Sequence, residues 1–209
     1  MSDTVVRVAT GVVLAQHFDM SDRRIIGLTG APGSGKSTLA EQLLAAEPDH
    51  TIVVPMDGFH LAQVELERLG RADRKGAPDT FDAHGFADLL ERIRVATDRT
   101  VYAPAFDRHL EEPIAGAIAV EPHHTTIVTE GNYLLLESDG WGRVAPLLDE
   151  CRYLEIDDDL RRTRLIARHI EHGRSPAAAE AWVSAVDDPN AILIASCRDR
   201  ADQVIDPGA

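Results

Sequence analysis

Cysteine is scarce in this sequence. The 209 residues include two, Cys151 and Cys197, far apart and without metal-ligand spacing. That fits a reducing cytoplasm, with both thiols as plain core residues. Positive charge is scarce as well: 21 Lys and Arg stand against 35 Asp and Glu, a net charge of −14. Phosphate contacts need Lys and Arg, so nucleic acid and anionic membrane are poor partners, and an anionic ligand must meet a local positive site. No uncharged run approaches the roughly 18 residues of a membrane span. The opening MSDTVVRVATGVVLAQHF carries Asp3 and Arg7 and lacks a basic region with a small-residue cleavage site. It reads as an amphipathic lead-in helix within residues 1–23, not a signal peptide. Repeats, low-complexity tracts and linkers are absent too, which predicts a single domain over 1–209.

What is present is ordinary globular composition, 44% apolar and 27% charged, arranged as short β-branched runs alternating with helical patterns. Strands are expected at Ile25–Thr29, Thr51–Val54, Thr100–Ala103, Thr126–Thr129, Tyr153–Ile156 and Val204–Ile205. Helices are expected at Lys36–Ala46, Leu61–Leu69, His84–Ala96, Arg143–Leu148 and Asp159–His172, with two more after Ser175 and Asp188. Arg71–Asp82 reads as a loop, and Ala105–Val120 as an irregular hairpin around Pro113 and Gly116. Such alternation predicts a three-layer α/β/α fold around a mainly parallel sheet.

Gly30-Ala31-Pro32-Gly33-Ser34-Gly35-Lys36-Ser37 matches G-x-x-x-x-G-K-[ST] in full, between an apolar strand and a helical pattern. Glycines let backbone N–H groups turn around phosphate oxygens where a Cβ would intrude. The helix beginning near Lys36 adds the positive end of its dipole, with Thr38 in its first turn. Lys36 can reach the β- and γ-phosphates and Ser37 can hold Mg²⁺, so ATP and Mg²⁺ are the expected cofactors. The guanine-binding N-K-x-D and the transporter L-S-G-G-Q are both missing. The next strand runs into VVPMDGFHLAQ, which puts Asp57 at the carboxyl edge where α/β sheets bind ligands. There it can accept a hydroxyl proton, or serve as a turn residue.

MDGFHLAQVELERLGRADRKGAPDTFDAHGF, VYAPAFDRHLEEP and TTIVTEGNYLLL resemble the P-loop kinases related to type I pantothenate kinase, uridine kinase and phosphoribulokinase. The likeness is strongest to the short pantothenate-kinase-like subgroup, labelled nucleoside or fructose-transport-system kinases, and spans Ile25 to Asp206. It implies ATP-dependent phosphorylation of a hydroxyl on a small metabolite, with Asp57 as the proton acceptor and Lys36 stabilising transferred charge. It implies that Glu130 follows a Walker-B-like strand and faces the metal, and that Asn132 and Tyr133 contact substrate, although Tyr133 could equally be core. His60 lies near enough to Asp57 to touch the acceptor, or is a satisfied loop histidine.

DLRRTRLIARHIEHGRS resembles the uridine-kinase lid, here roughly 158–175. Arg161, Arg164 and Arg168 are spaced to share one face, and Arg168, then Arg164, are the leading candidates to meet the triphosphate. His169 and His172 read as surface. NAILIASCRDRAD resembles the stretch lining the adenine pocket in pantothenate kinases, which makes Arg198 a nucleotide contact. The likeness breaks at Phe106-Asp107-Arg108-His109, where pantothenate kinases carry a tyrosine and a histidine, and in total length. Pantothenate therefore has little support. Arg108 with Asp107 suggests a polar or anionic acceptor, such as a sugar, sugar acid or sugar phosphate, or else forms an ion pair; fructose or a related sugar is the leading class. Arg74 and Lys75 form a second candidate anion site or an exposed loop. A nucleoside or nucleoside monophosphate kinase, and a non-catalytic ATP-binding regulator, are the rival readings. A homodimer follows by likeness alone.

Overall fold

The structure is a computed structural model that describes residues 23–206. The expected lead-in helix lies outside the described residues, apart from Arg23. Seven strands and six α-helices are assigned in chain order. The strands are β1 (Arg24–Thr29), β2 (Thr51–Val53), β3 (Val101–Asp107), β4 (Glu112–Val120), β5 (Thr126–Glu130), β6 (Glu150–Leu154) and β7 (Gln203–Ile205). The helices are α1 (Lys36–Ala46), α2 (Gln63–Leu69), α3 (Ala83–Val95), α4 (Asp158–Glu171), α5 (Pro176–Trp182) and α6 (Asp188–Ala195).

The main sheet has the order β2-β5-β1-β6-β7, and every pairing in it is parallel. A parallel sheet must be covered on both faces, and its three central strands are accordingly buried along most of their length. On β1, Ile25 packs into a core shared with α3, α6 and Trp141, whereas Ile26 and Leu28 face Ala40 and Leu43 of α1. This is the three-layer α/β/α arrangement, built by strands whose successive side chains enter opposite cores. Because all five strands run the same way, their carboxyl ends open on one edge, and the loops after β1, β2, β5 and β6 meet there.

β3 and β4 form a separate antiparallel hairpin, with a register shift between Ala103 and Ala105. The hairpin expected within Ala105–Val120 is thus larger, and it recruits the strand expected at Thr100–Ala103. The short helix expected at Arg143–Leu148 is a pair of 3₁₀ turns, Trp141–Arg143 and Ala145–Leu147. Pro146 explains the break, since it cannot donate into a helical ladder. The Arg71–Asp82 loop contains two more such turns, Ala72–Arg74 and Pro78–Thr80.

Helix starts follow their side chains. Asp82 accepts from Gly85 N at 2.8 Å, Asp157 from Leu160 N at 3.0 Å, and Ser175 from Ala178 N at 3.3 Å with Pro176 next. Between α5 and α6 the chain forms a π-helical turn, Val183–Asp187. Among the described residues no helix is long and apolar enough to cross a membrane.

Candidate active site

The loop from Gly30 to Ser37 joins β1 to α1. Gly35 caps α1 with φ +94° and no side-chain bond, so the first N–H groups of the helix are left for a ligand. Nothing lies within 4 Å of the place its Cβ would occupy. Lys36 is buried, and its Nζ donates to the Gly30 and Ala31 carbonyls at 2.8 and 3.0 Å. Burial pushes its pKa down to about 8, with Arg168 adding to the effect and Glu130 and Asp57 opposing it. Ser34 Oγ is buried inside the loop without a hydrogen-bond partner. A glycine-lined hollow, an orphaned hydroxyl and an amine held only by carbonyls fit a polyphosphate. Ser37 and Thr38 are exposed on the first turn of α1.

Two carboxylates face this loop. Glu130 ends β5 and accepts from Ser37 Oγ at 3.1 Å. Burial raises its pKa, and Asp57 adds to the rise, while Lys36 and Ser37 oppose it. Among the described residues no group of three or more His, Cys, Asp or Glu forms a protein-only metal cage. Ser37 and Glu130 suit Mg²⁺, which keeps waters and phosphate oxygens and takes few protein ligands.

Asp57 lies in the 3₁₀ turn Met56–Phe59, just past β2. The following Gly58 is dictated by the hairpin, since a Cβ there would meet the Pro104 carbonyl oxygen at 2.4 Å. Asp57 Oδ2 is 3.5 Å from Arg108 Nη2. The His60 ring is paired through Nδ1 with the Asp57 carbonyl oxygen at 2.9 Å and packs on Phe81 and Phe106, with centroids 3.9 and 4.7 Å away. Burial lowers the His60 pKa, and Lys75 and Arg108 add to this against the pull of Asp57. The ring is neutral near pH 7. With Nδ1 donating to the carbonyl, its other nitrogen can accept from a hydroxyl.

Asp57 opens into a cleft of about 140 Å³. Asn132, Phe106 and Arg108 form part of its wall, with Lys75 from the loop before α3. Arg168 and His169 of α4, Asp187 of the π-turn and Asn190 of α6 complete its lining. Arg168 is held below its usual pKa, first by burial of its head in the cleft and then by Arg108.

Several expectations need correction. Tyr133 does not line the cleft: it is buried with Phe81 and Trp141, and its hydroxyl donates to the Gly76 carbonyl. Arg161 does not share the nucleotide face with Arg164. It is 2% exposed and bonds Asp158 and Asp188 at 2.7 and 2.6 Å. Arg164 does lie beside the phosphate loop, with Nη1 3.5 Å from the Gly33 carbonyl. Arg198, expected at the nucleotide rather than in this cleft, pairs with Glu155 at 2.9 Å past the end of β6. Arg74 is held by Asp79, so only Lys75 of that pair reaches the cleft. His169 is not a surface residue, because its Nε2 meets Asp187 Oδ2 at 2.9 Å in the wall; His172 is exposed, as expected. Asp187 and Asn190 went unmarked in the sequence, and the only local sign of them is the D-D-P-N helix start.

Residues 25–208 match the family described as Phosphoribulokinase / Uridine kinase. A Schizosaccharomyces pombe protein provisionally named a uridine kinase is 38% identical over 179 residues, covering 81% of this chain and 75% of its own. The crystal structure of a protein from Silicibacter sp. TM1040, provisionally named a fructose transport system kinase, shares 40% identity at a TM-score of 0.80. That match covers 88% of this chain and 89% of the other. A circularly permuted P-loop protein from Saccharomyces cerevisiae is alike in fold alone, at 18% identity and a TM-score of 0.75 over 90% and 93% of the two chains.

Proposed function

The chain belongs to the phosphoribulokinase / uridine kinase family of ATP-dependent kinases, and from that premise we propose that it phosphorylates a hydroxyl of a small, sugar-like metabolite in the cleft beside Asp57. One observation carries the reading: at the mouth of the phosphate loop, buried Lys36 lies within electrostatic reach of Asp57, Glu130 and Arg168, and Glu130 accepts from Ser37 Oγ at 3.1 Å. A binding-only module has no use for a carboxylate facing the acceptor side.

The geometry supports these roles. Asp57 takes the proton of the acceptor hydroxyl as its oxygen bonds the γ-phosphorus and the bond to the ADP oxygen breaks. Lys36 and Arg168 neutralise charge on the transferring group. Arg164, at the Gly33 carbonyl, adds a cation on the nucleotide side of the loop. Ser37 and Glu130 would hold Mg²⁺, which supplies charge neutralisation between the phosphates. Within one domain, residues 158–175 act as the lid, fixed where Arg161 and Arg162 of α4 pair with Asp188. The acceptor class rests on the hydrogen-bonding wall of Asn132, His60, Asp187 and Asn190, and on the name of the Silicibacter relative.

The test is ATP-to-ADP turnover across sugars, sugar acids, sugar phosphates, pantothenate, nucleosides and nucleoside monophosphates, with product masses recorded. Asp57→Asn should lower kcat on the acceptor found by about 10²–10⁴-fold. Equal turnover by that variant would remove Asp57 from the mechanism. ATP binding with no product from any acceptor would favour the regulator.

A further inference from the structure

The chain carries a large excess of acid, −14 overall, so an Arg or Lys with no carboxylate at ion-pair distance is informative. Among the described residues few lack one. Arg23 donates to four backbone carbonyls, Arg92 to the Tyr102 carbonyl, and Arg174 lies over the Trp182 ring. The others gather around the cleft. Lys36, Arg164 and Arg168 are accounted for by the phosphates. Lys75 is not.

Lys75 is half-buried and lines the cleft. Its Nζ donates to the Glu111 carbonyl at 2.6 Å and stands 5.4 Å over the Phe106 ring. Both partners leave the positive charge uncompensated. The placement is built. Glu111 turns its carbonyl from a left-handed conformation, φ +56°, which costs a non-glycine residue energy. The Gly76 carbonyl, next to Lys75, receives Tyr133 Oη at 2.5 Å and Asn190 Nδ2 at 3.4 Å. Gly76 N donates to Thr80 Oγ1 at 3.0 Å. Arg108 also lines the cleft, and among the described residues its closest recorded carboxylate partner is Asp57, at 3.5 Å.

We propose that Lys75 and Arg108 form an anion subsite, and that the acceptor is a hydroxylated compound bearing a carboxylate or phosphate group in addition to the hydroxyl presented to Asp57. This rests on the kinase reading above and narrows it. Bound there, the anion would draw the Arg108 guanidinium off Asp57 and fix the acceptor at two points, with its hydroxyl at the carboxylate. A neutral sugar would leave Lys75 on neutral partners and Arg108 on Asp57.

The experiment compares neutral compounds with their anionic twins on the full chain with ATP and Mg²⁺: fructose with fructose 6-phosphate, and sorbitol with gluconate. Product mass and kcat/KM are recorded for each, and ADP-loaded protein is tested for thermal stabilisation by the same four compounds. At least one anionic member should exceed its twin tenfold or more in kcat/KM, or raise Tm where the twin does not. The phosphate and carboxylate arms separate the two anion types. Lys75→Met should raise KM for the anionic acceptor about ten- to a hundredfold, and Lys75→Arg should restore much of it, which loss of packing alone would not do. Neutral twins that match or exceed their anions, or a Lys75→Met effect equal on both, overturn the subsite and leave the kinase standing. Absence of ADP-dependent stabilisation would instead bring down the kinase reading itself.

Discussion

Lys36 offers the sharpest test of the electrostatics, because its free-state pKa is about 8 against an ordinary 10.5. The cause is burial of an ammonium whose hydrogen-bond partners are two neutral carbonyls. At pH 9 about nine-tenths of the amines are then neutral in the nucleotide-free protein, and at pH 7 about one-tenth. A bound phosphate supplies the missing negative charge and returns the pKa to its ordinary range or higher. The bound state therefore holds the proton more tightly, so affinity must fall as pH rises through 8. The fall approaches tenfold per pH unit, and reaches about a hundredfold, or about 3 kcal/mol, by pH 10. Binding at pH 9 should take up about 0.9 proton, against about 0.1 at pH 7. The assay is calorimetric titration with Mg·ADP in paired buffers of different protonation enthalpy at both values. Glu130, held above the usual carboxyl range, would release rather than take up a proton on meeting Mg²⁺, so its contribution is opposite in sign. Lys36→Met should abolish the uptake. Identical heats in the two pH 9 buffers would mean that the amine is already charged in the free protein, and that the burial argument is wrong.

Two further substitutions separate structural from functional side chains. Arg161→Met deletes a guanidinium that is 2% exposed and bonded to two aspartates. It should cost about 2 kcal/mol in urea unfolding, the worth of charge-assisted hydrogen bonds, because Asp188 keeps Arg162 and Asp158 is exposed, and should leave the KM for ATP nearly unchanged; a raised ATP KM at full stability would return Arg161 to the nucleotide. Tyr133→Phe removes the bond to the Gly76 carbonyl and should cost about 1 kcal/mol in the same measurement. By loosening the loop that carries Lys75 it should also raise the acceptor KM, and an unchanged acceptor KM would detach Tyr133 from the subsite.

The phosphate loop was legible in the sequence because each of its requirements is local: a left-handed glycine, a lysine one residue on, a helix start. Asp57 and Glu130 were legible for a similar reason, since a carboxylate at or just past the carboxyl end of a parallel strand falls on the ligand edge whatever the rest of the chain does. The part of the cleft lining formed by α4, the π-turn and α6 was not. Asp187 and His169 are 18 residues apart and meet only because a π-turn redirects the chain between two helices. Arg161 shows the limit of helical spacing. Its distance from Arg164 says that the two can share a face, but Asp188, 27 residues on, decides where the guanidinium points. Tyr133 sits three residues after Glu130, yet the aromatic cluster around Trp141 claims its ring. No local pattern separates those outcomes.

The β3–β4 hairpin pairs with no strand of the main sheet and touches the phosphate machinery at the Asp57 turn, where the Pro104 carbonyl rests on Gly58. It nevertheless contributes Phe106, Arg108 and Glu111 to the acceptor side. Descent can therefore retune it as an exchangeable cassette, drifting in length and charge while the sheet edge that handles ATP stays fixed. Relatives that differ in what they phosphorylate should diverge most between residues 101 and 120. Grafting that segment from one to another, with the Pro104–Gly58 seat preserved, is the shortest route to redirecting selectivity.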